Sequence, residues 1–317
     1  MGTSRWSDDF YSAREAERAK TGTSAFHYTE AINKGEEIRQ VHATMNPQGV
    51  TRESRDSDEH PDSNSVAVIF DVTGSMHTVP VLLQKKLPKL MGTLGRKNYL
   101  PHPQVLFGAV GDCYSDEGPV QIGQYESGIE MDDDLGRFWL EGGGGGTGEE
   151  SYELALYFFA RHTSIDCFEK RGRKGYLFIV GDEKPYPRVD RQAVKRIFGD
   201  DIQEDIPIEQ IIAECREKYH VFFLLPKGTS HWNSTPTHAR WIQLLGEDYF
   251  RLLEDPDTVC ETISVIIGMT EGTVNLDQAK EHLREAGTSE AALNHVTNAV
   301  QSLARQGKVP SEGNVRL

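Results

Sequence analysis

The chain has 317 residues, enough for one large domain or two modest ones, and 37% of them are hydrophobic, enough for a packed core. Its 49 acidic and 34 basic side chains leave a formal net charge of −15. Such a field disfavours nucleic acid and anionic membranes and suits cations or basic protein partners. No apolar run approaches the ~18 residues that a spanning helix needs. The opening MGTSRWSDDF lacks an apolar secretory core, and Trp6 stands where a myristoylation signal has Ser or Thr. These features predict a soluble, cytoplasmic protein. Cys113, Cys167, Cys215 and Cys260 are widely spaced, form no C-x-x-C pair, and read as buried reduced thiols.

Residues 1–64 read as a polar N-terminal arm and linker. Within it, 8–20 is a charged helical stretch, and Trp6, Phe10, Tyr11, Phe26 and Tyr28 are aromatics able to pin the arm to the main domain. Residues 51–65, TRESRDSDEHPDSNS, are almost free of apolar side chains. They read as a solvated connector, or as an arm lying near the site.

The run Val66 to Phe70 is long enough for a strand buried on both faces. A helical pattern over 78–94 follows, with Val79, Leu82, Leu83, Leu87, Leu90, Met91 and Leu94 on one face. Thr78 is placed to cap it and Pro88 to kink it. A second strand is expected over 105–110, an edge strand over 119–124 and a short helix over 135–140. Five glycines, 142–146, precede an amphipathic helix carrying Tyr152, Ala155, Leu156 and Phe159. Further strands are expected over 175–180, 219–225 and 249–253, and helices over 207–218, 238–245 and from Asp255-Pro256 onward. Two more helical patterns fill 275–306, the second with Leu293, Val296, Val300 and Leu303; residues 307–317 look frayed.

This alternation predicts an α/β fold: a doubly wound, mostly parallel, Rossmann-like sheet over 65–272, followed by a C-terminal helical extension over 273–317. Ligands of such sheets sit beyond the carboxyl ends of the strands. Three loops stand there. Asp71, Thr73 and Ser75 follow the first strand at alternate positions, so their oxygens can converge. Thr147 closes the glycine run, and Asp182 follows the fourth strand between Gly181 and Glu183. Convergent carboxylate and hydroxyl oxygens suit a hard divalent cation such as Mg²⁺. Thr147 also reads as a helix cap with Glu150 three residues on. Asp112 and Asp116 either flank the site or lie in a solvated acidic loop, and His77 reads as a surface residue.

Asp71-Val72-Thr73-Gly74-Ser75, Gly145-Gly146-Thr147-Gly148 and Asp182, in this order, resemble the metal-ion-dependent adhesion site (MIDAS) of the von Willebrand factor A (VWA) family. That family's first motif is Asp-x-Ser-x-Ser; Thr73 replaces the first serine and keeps its oxygen. The resemblance covers about 65–269. It implies Mg²⁺ or Mn²⁺ held by Thr73, Ser75 and Thr147, with Asp71 and Asp182 in support. It further implies a protein partner whose Asp or Glu completes the metal shell, hence protein binding and not catalysis. Intracellular stand-alone members often work beside AAA+ ATPases of the MoxR type or in stress and defence operons, which implies an adaptor.

Asp71 to Ser75 also resembles the phosphoryl-accepting motif of haloacid-dehalogenase-type hydrolases, in which the aspartate is the nucleophile and Mg²⁺ neutralises the phosphate. The second acid common two residues after that nucleophile is absent, and the helix follows too soon for the hairpin insert of those enzymes. The glycine run lacks the Gly-Lys-Ser/Thr ending of a phosphate loop.

Overall fold

Eight consecutive buried residues, Asn64–Asp71, form the central strand β1 of a six-stranded sheet. Val66, Val68 and Phe70 enter one apolar cluster and Ala67 and Ile69 the other, so the strand is covered on both sides. The remaining strands are β2 (Pro103–Val110), β3 (Val120–Ile122), β4 (Gly175–Val180), β5 (Tyr219–Pro226) and β6 (Phe250–Leu253). Their order in the sheet is β6-β5-β4-β1-β2-β3. All neighbours are parallel except β3, which runs antiparallel to β2. The computed structural model describes residues 4–143 and 146–305, with side chains through 303. The fold is α/β, a mostly parallel sheet flanked by helices. The chain runs outward from β1 to β3 on one side and from β4 to β6 on the other, so the order reverses between β1 and β4. The carboxyl ends of those two strands therefore flank a crevice.

One face of the sheet carries the helices Thr78–Lys85, Leu87–Met91 and Val259–Thr270. The other carries Tyr152–Arg161, Ile208–Lys218 and Thr235–Leu245. The helix expected over 78–94 is broken at Lys86, and a π-type turn, Gly92–Arg96, ends it. Pro88 lacks the N–H that would bond to the carbonyl of Gln84. That carbonyl instead accepts the hydroxyl of Tyr11, at 2.8 Å, from the N-terminal helix Asp8–Thr21. Thr78 does not cap: the cap position is His77, whose side chain makes no capping bond. The helix expected over 135–140 lies earlier, at Glu130–Arg137. Phe138 is already extended, and Trp139 exchanges its backbone bonds with the Gln121 side chain. Tyr152–Arg161 is not amphipathic. Residues 152–160 are all buried, within the apolar cluster on this face and against Ile208–Lys218.

The N-terminal segment packs on this core. Tyr11, Phe26 and Met45 join the larger cluster, while Phe10 stays exposed. Arg18 donates to both oxygens of the fully buried Asp132, and Gln84 donates to Asp132 at 3.0 Å, which ties three helices together. The stretch 51–65 is not a free connector. Arg52–Ser54 pairs in parallel with Thr163–Ile165, Arg55 reaches Asp166 and Glu169, and Arg171 and Lys170 reach Asp56. The outer backbone of β3 is also engaged: Ile122 N donates to Met45 O at 2.8 Å, and Ile122 O accepts from Arg52 at 2.8 Å.

Helices Leu276–Glu285 and Glu290–Arg305 follow the sheet domain, and Leu283, Leu293, Val296 and Val300 are buried against the same cluster as Phe70. The expected fraying of 307–317 falls outside the described residues. The four cysteines are buried and form no disulfide. Among the described residues, no helix is long and apolar enough to cross a membrane.

Candidate metal centre

β1 ends on Asp71, whose carboxylate is fully buried. Val72 keeps one more sheet bond, its N–H to Val110 O, and Thr73 is extended before the 3-10 turn Gly74–Met76. This path brings Thr73 back over Asp71. Its N–H at 2.7 Å and its hydroxyl both donate to Asp71 Oδ1. Asp71 Oδ2 accepts the hydroxyl of Tyr152, from the first turn of the buried helix. At the end of β4, Gly181 passes close to that tyrosine; a Cβ there would overlap the Tyr152 hydroxyl. Asp182 follows, fully buried. Ser75 Oγ lies 3.1 Å from each of its oxygens, and the N–H of His231 donates to Oδ2 at 3.1 Å. Two acid–hydroxyl couples, Asp71 with Thr73 and Asp182 with Ser75, thus stand at the ends of adjacent strands.

The glycine-rich loop approaches the same edge. Gly142 N donates to Val72 O and Gly74 N to Gly143 O, each at 3.2 Å. Gly144 and Gly145 lie outside the described residues. Thr147 is exposed, and among the described residues no hydrogen bond joins it to Asp71, Thr73, Ser75 or Asp182. Its hydroxyl instead donates to Glu149 O at 3.2 Å and lies 3.5 Å from Tyr186 Oη. Nor does it cap the following helix with Glu150: the cap position is Ser151. Glu150 sits in a two-residue strand paired with Lys184–Pro185.

The surroundings are acidic. Glu150 is 1% exposed; among the described residues its oxygens accept no hydrogen bond of ordinary geometry, and its carboxyl stands beside that of Glu183. Burial, then the charges of Asp71, Glu183, Asp112 and Asp116, push its carboxyl up to about 11. Burial raises Asp71 to about 7 against the opposing bonds from Thr73 and Tyr152. Burial and Asp182 raise Glu183 to about 7. Asp112, weighed above as part of a solvated loop, is buried instead, and it accepts bonds from Tyr114 N, Ser115 and Tyr186. His77 is exposed, as expected, with Nδ1 3.0 Å from Gly74 O. Among the described residues, no three His, Cys, Asp or Glu side chains are grouped to hold a metal ion by themselves. A cation here would draw on hydroxyl and water oxygens.

The sequence reading assigned no role at the site to Tyr152, Tyr186 or His231, and gave Glu150 only that of a capping partner. Tyr152 was counted as an apolar-face residue, and only the fold reveals that its hydroxyl meets Asp71. The sequence sign of Glu150 is an acid two residues ahead of a mostly apolar helix, Tyr152–Arg161.

No family model matches the chain, and no curated protein matches it. Among solved structures, proximal thread matrix protein 1 from the mussel byssus is 10% identical, with a TM-score of 0.41 over 65% of this chain and 47% of that one. The pilus adhesin SpaC from Lactobacillus rhamnosus GG, in its open conformation, is also 10% identical, with a TM-score of 0.44 over 70% of this chain and 31% of that one. The chain thus spans less than half the length of either protein to which it is similar.

Proposed function

We propose that this chain is a doubly wound VWA-type protein that binds a protein partner through a MIDAS-type divalent cation, Mg²⁺ or Mn²⁺. The observation that carries this reading is the pairing of buried Asp71 with Thr73 and of buried Asp182 with Ser75 at neighbouring strand ends. Carboxylates that hold hydroxyls in place, leaving the hydroxyl oxygens to face an ion, form a suitable support for a hard cation. Glu150 adds to this: a buried carboxyl set among other acids is a group that a cation would stabilise. The residues present therefore fit such an ion.

Thr73, Ser75 and Thr147 would offer hydroxyl oxygens. Asp71 and Asp182 would orient those hydroxyls and bound water. Tyr152 fixes Asp71, and the His231 backbone fixes Asp182. When bound, the ion supplies a Lewis-acid position for a carboxylate from the partner. Thr147 shares the rim through Tyr186 and Asp112, not by direct contact. An adaptor role in the cytoplasm beside an AAA+ ATPase follows from the family likeness alone.

The phosphohydrolase reading is less well supported. An attacking carboxylate needs a free lone pair facing the substrate. Asp71 is fully buried, and three hydrogen bonds, from the N–H and hydroxyl of Thr73 and the hydroxyl of Tyr152, hold its oxygens within the protein.

Calorimetry with Mg²⁺ and Mn²⁺ on the wild type, Ser75→Ala and Asp182→Asn tests the proposal. The expected result is saturable binding to the wild type, weakened about tenfold or more in both variants. Equal binding by all three would overturn it. Chelator-sensitive hydrolysis of para-nitrophenyl phosphate that disappears in Asp71→Asn would favour the enzyme.

A further inference from the structure

Tyr114 is 62% exposed, one of three large hydrophobic side chains that the described residues leave in solvent. Its ring stands edge-on to Tyr186, with centroids 4.9 Å apart and planes at 78°. The pair lies on the rim of the candidate site. Tyr186 donates its hydroxyl to Asp112 at 3.2 Å, and Asp112 N donates to Asp116 at 2.8 Å. Asp116 lies against Gly143, whose carbonyl accepts from Gly74 beside Ser75. A continuous set of contacts therefore runs from the DVTGS turn to the two tyrosines.

The charge around this pair is negative. Asp112, Asp116 and Glu183 all act on Glu150, and Asp112 also acts on Glu183. Of the nearby cations, Lys184 lies 3.8 Å from Glu149, and Arg196 is engaged with the carbonyl of Cys113. A partner that approached with an acid alone would meet repulsion from this rim and from the net charge of −15. A cation beside that acid would offset the repulsion. Aromatic rings attract a cation through their electron-rich faces, arginine most often.

We propose that the Tyr114–Tyr186 pair receives a lysine or arginine side chain adjacent to the acidic residue of the partner. The recognised segment then carries one acidic and one basic residue close in sequence. This inference rests on the reading of the site as cation-assisted and names its partner chemistry more closely.

The test is an array of synthetic peptides with a fixed central Glu in a glycine background. Each position within four residues of the Glu is set in turn to Arg, Lys, Gln or Asp. The full chain is applied in Mg²⁺ and in EDTA. The expected result is Mg²⁺-dependent capture, with Arg and Lys favoured over Gln on the order of fivefold at one or more positions. Tyr114→Ala should abolish that preference while leaving Mg²⁺-dependent capture of the Gln peptides; Tyr114→Phe should keep it. Mg²⁺-dependent capture without a basic preference, or a preference that survives Tyr114→Ala, would overturn this inference and leave the metal reading standing. Capture that EDTA does not change, or no capture in Mg²⁺, would remove the metal reading and this inference with it.

Discussion

Tyr152 reaches Asp71 across the gap between β1 and β4, in space left open by the missing side chain at position 181. Gly181→Ala would drive a methyl group into the tyrosine hydroxyl within a buried, closely packed floor. The expected cost is about 1–3 kcal/mol, as for other overpacked interiors. Tyr152→Phe instead deletes a donor to a buried carboxylate, at about 1–3 kcal/mol. Denaturant unfolding of both single variants checks the two values. If Gly181→Ala is neutral, the close approach is not a constraint.

The acid cluster should make the metal-free protein sensitive to pH. A carboxyl whose folded pKa lies above its unfolded value, about 4, keeps its proton in the folded chain while the unfolded chain releases it. Stability then falls as pH rises between the two values. For Asp71 and Glu183 the fall ends near pH 7; for Glu150 it continues toward pH 11. Melting temperature in EDTA should therefore decline between about pH 7 and 8.5, above the histidine range. Glu150→Gln should flatten the decline, whereas equal slopes in the two proteins would exclude Glu150 as its source.

A cation that binds the folded chain alone should stabilise it. At a hundred times its Kd, the gain is about 2.7 kcal/mol. Thermal unfolding in Mg²⁺ should show this shift in the wild type and little of it in Ser75→Ala, because Ser75 is the hydroxyl held by Asp182. An equal shift in both proteins would place the ion elsewhere.

Arg18 neutralises Asp132, which is wholly shielded from solvent. Arg18→Ala should cost about 1–3 kcal/mol, because the buried Asp132 then keeps only the bond from Gln84 and a longer contact, 3.5 Å, with Arg14. Asp132→Asn combined with Arg18→Ala should recover part of that loss in denaturant unfolding.

What the sequence made legible was the sheet. Strands such as β4, Gly175–Val180, are apolar throughout and bounded by glycine or by charge, so one-dimensional pattern is enough to find them. The acid–hydroxyl couples were legible as a motif, since alternate residues after a strand turn together. Arg52–Ser54 was not, because its pairing is held by charges on Arg55 and Asp56 whose partners lie more than a hundred residues away. The break at Lys86 was expected from Pro88, but the tyrosine that satisfies the released carbonyl was not. The environment of Glu150 depends on three other segments, around Asp71, Asp112–Asp116 and Glu183, and no local pattern encodes it.

The backbone bonds between Ile122, Met45 and Arg52 have a consequence for any shortened form of the chain. Without the residues before Asn64, β3 would present a bare row of donors and acceptors at the margin of the sheet. Another copy could extend the sheet by pairing there, so the trimmed core should self-associate where the longer chain does not.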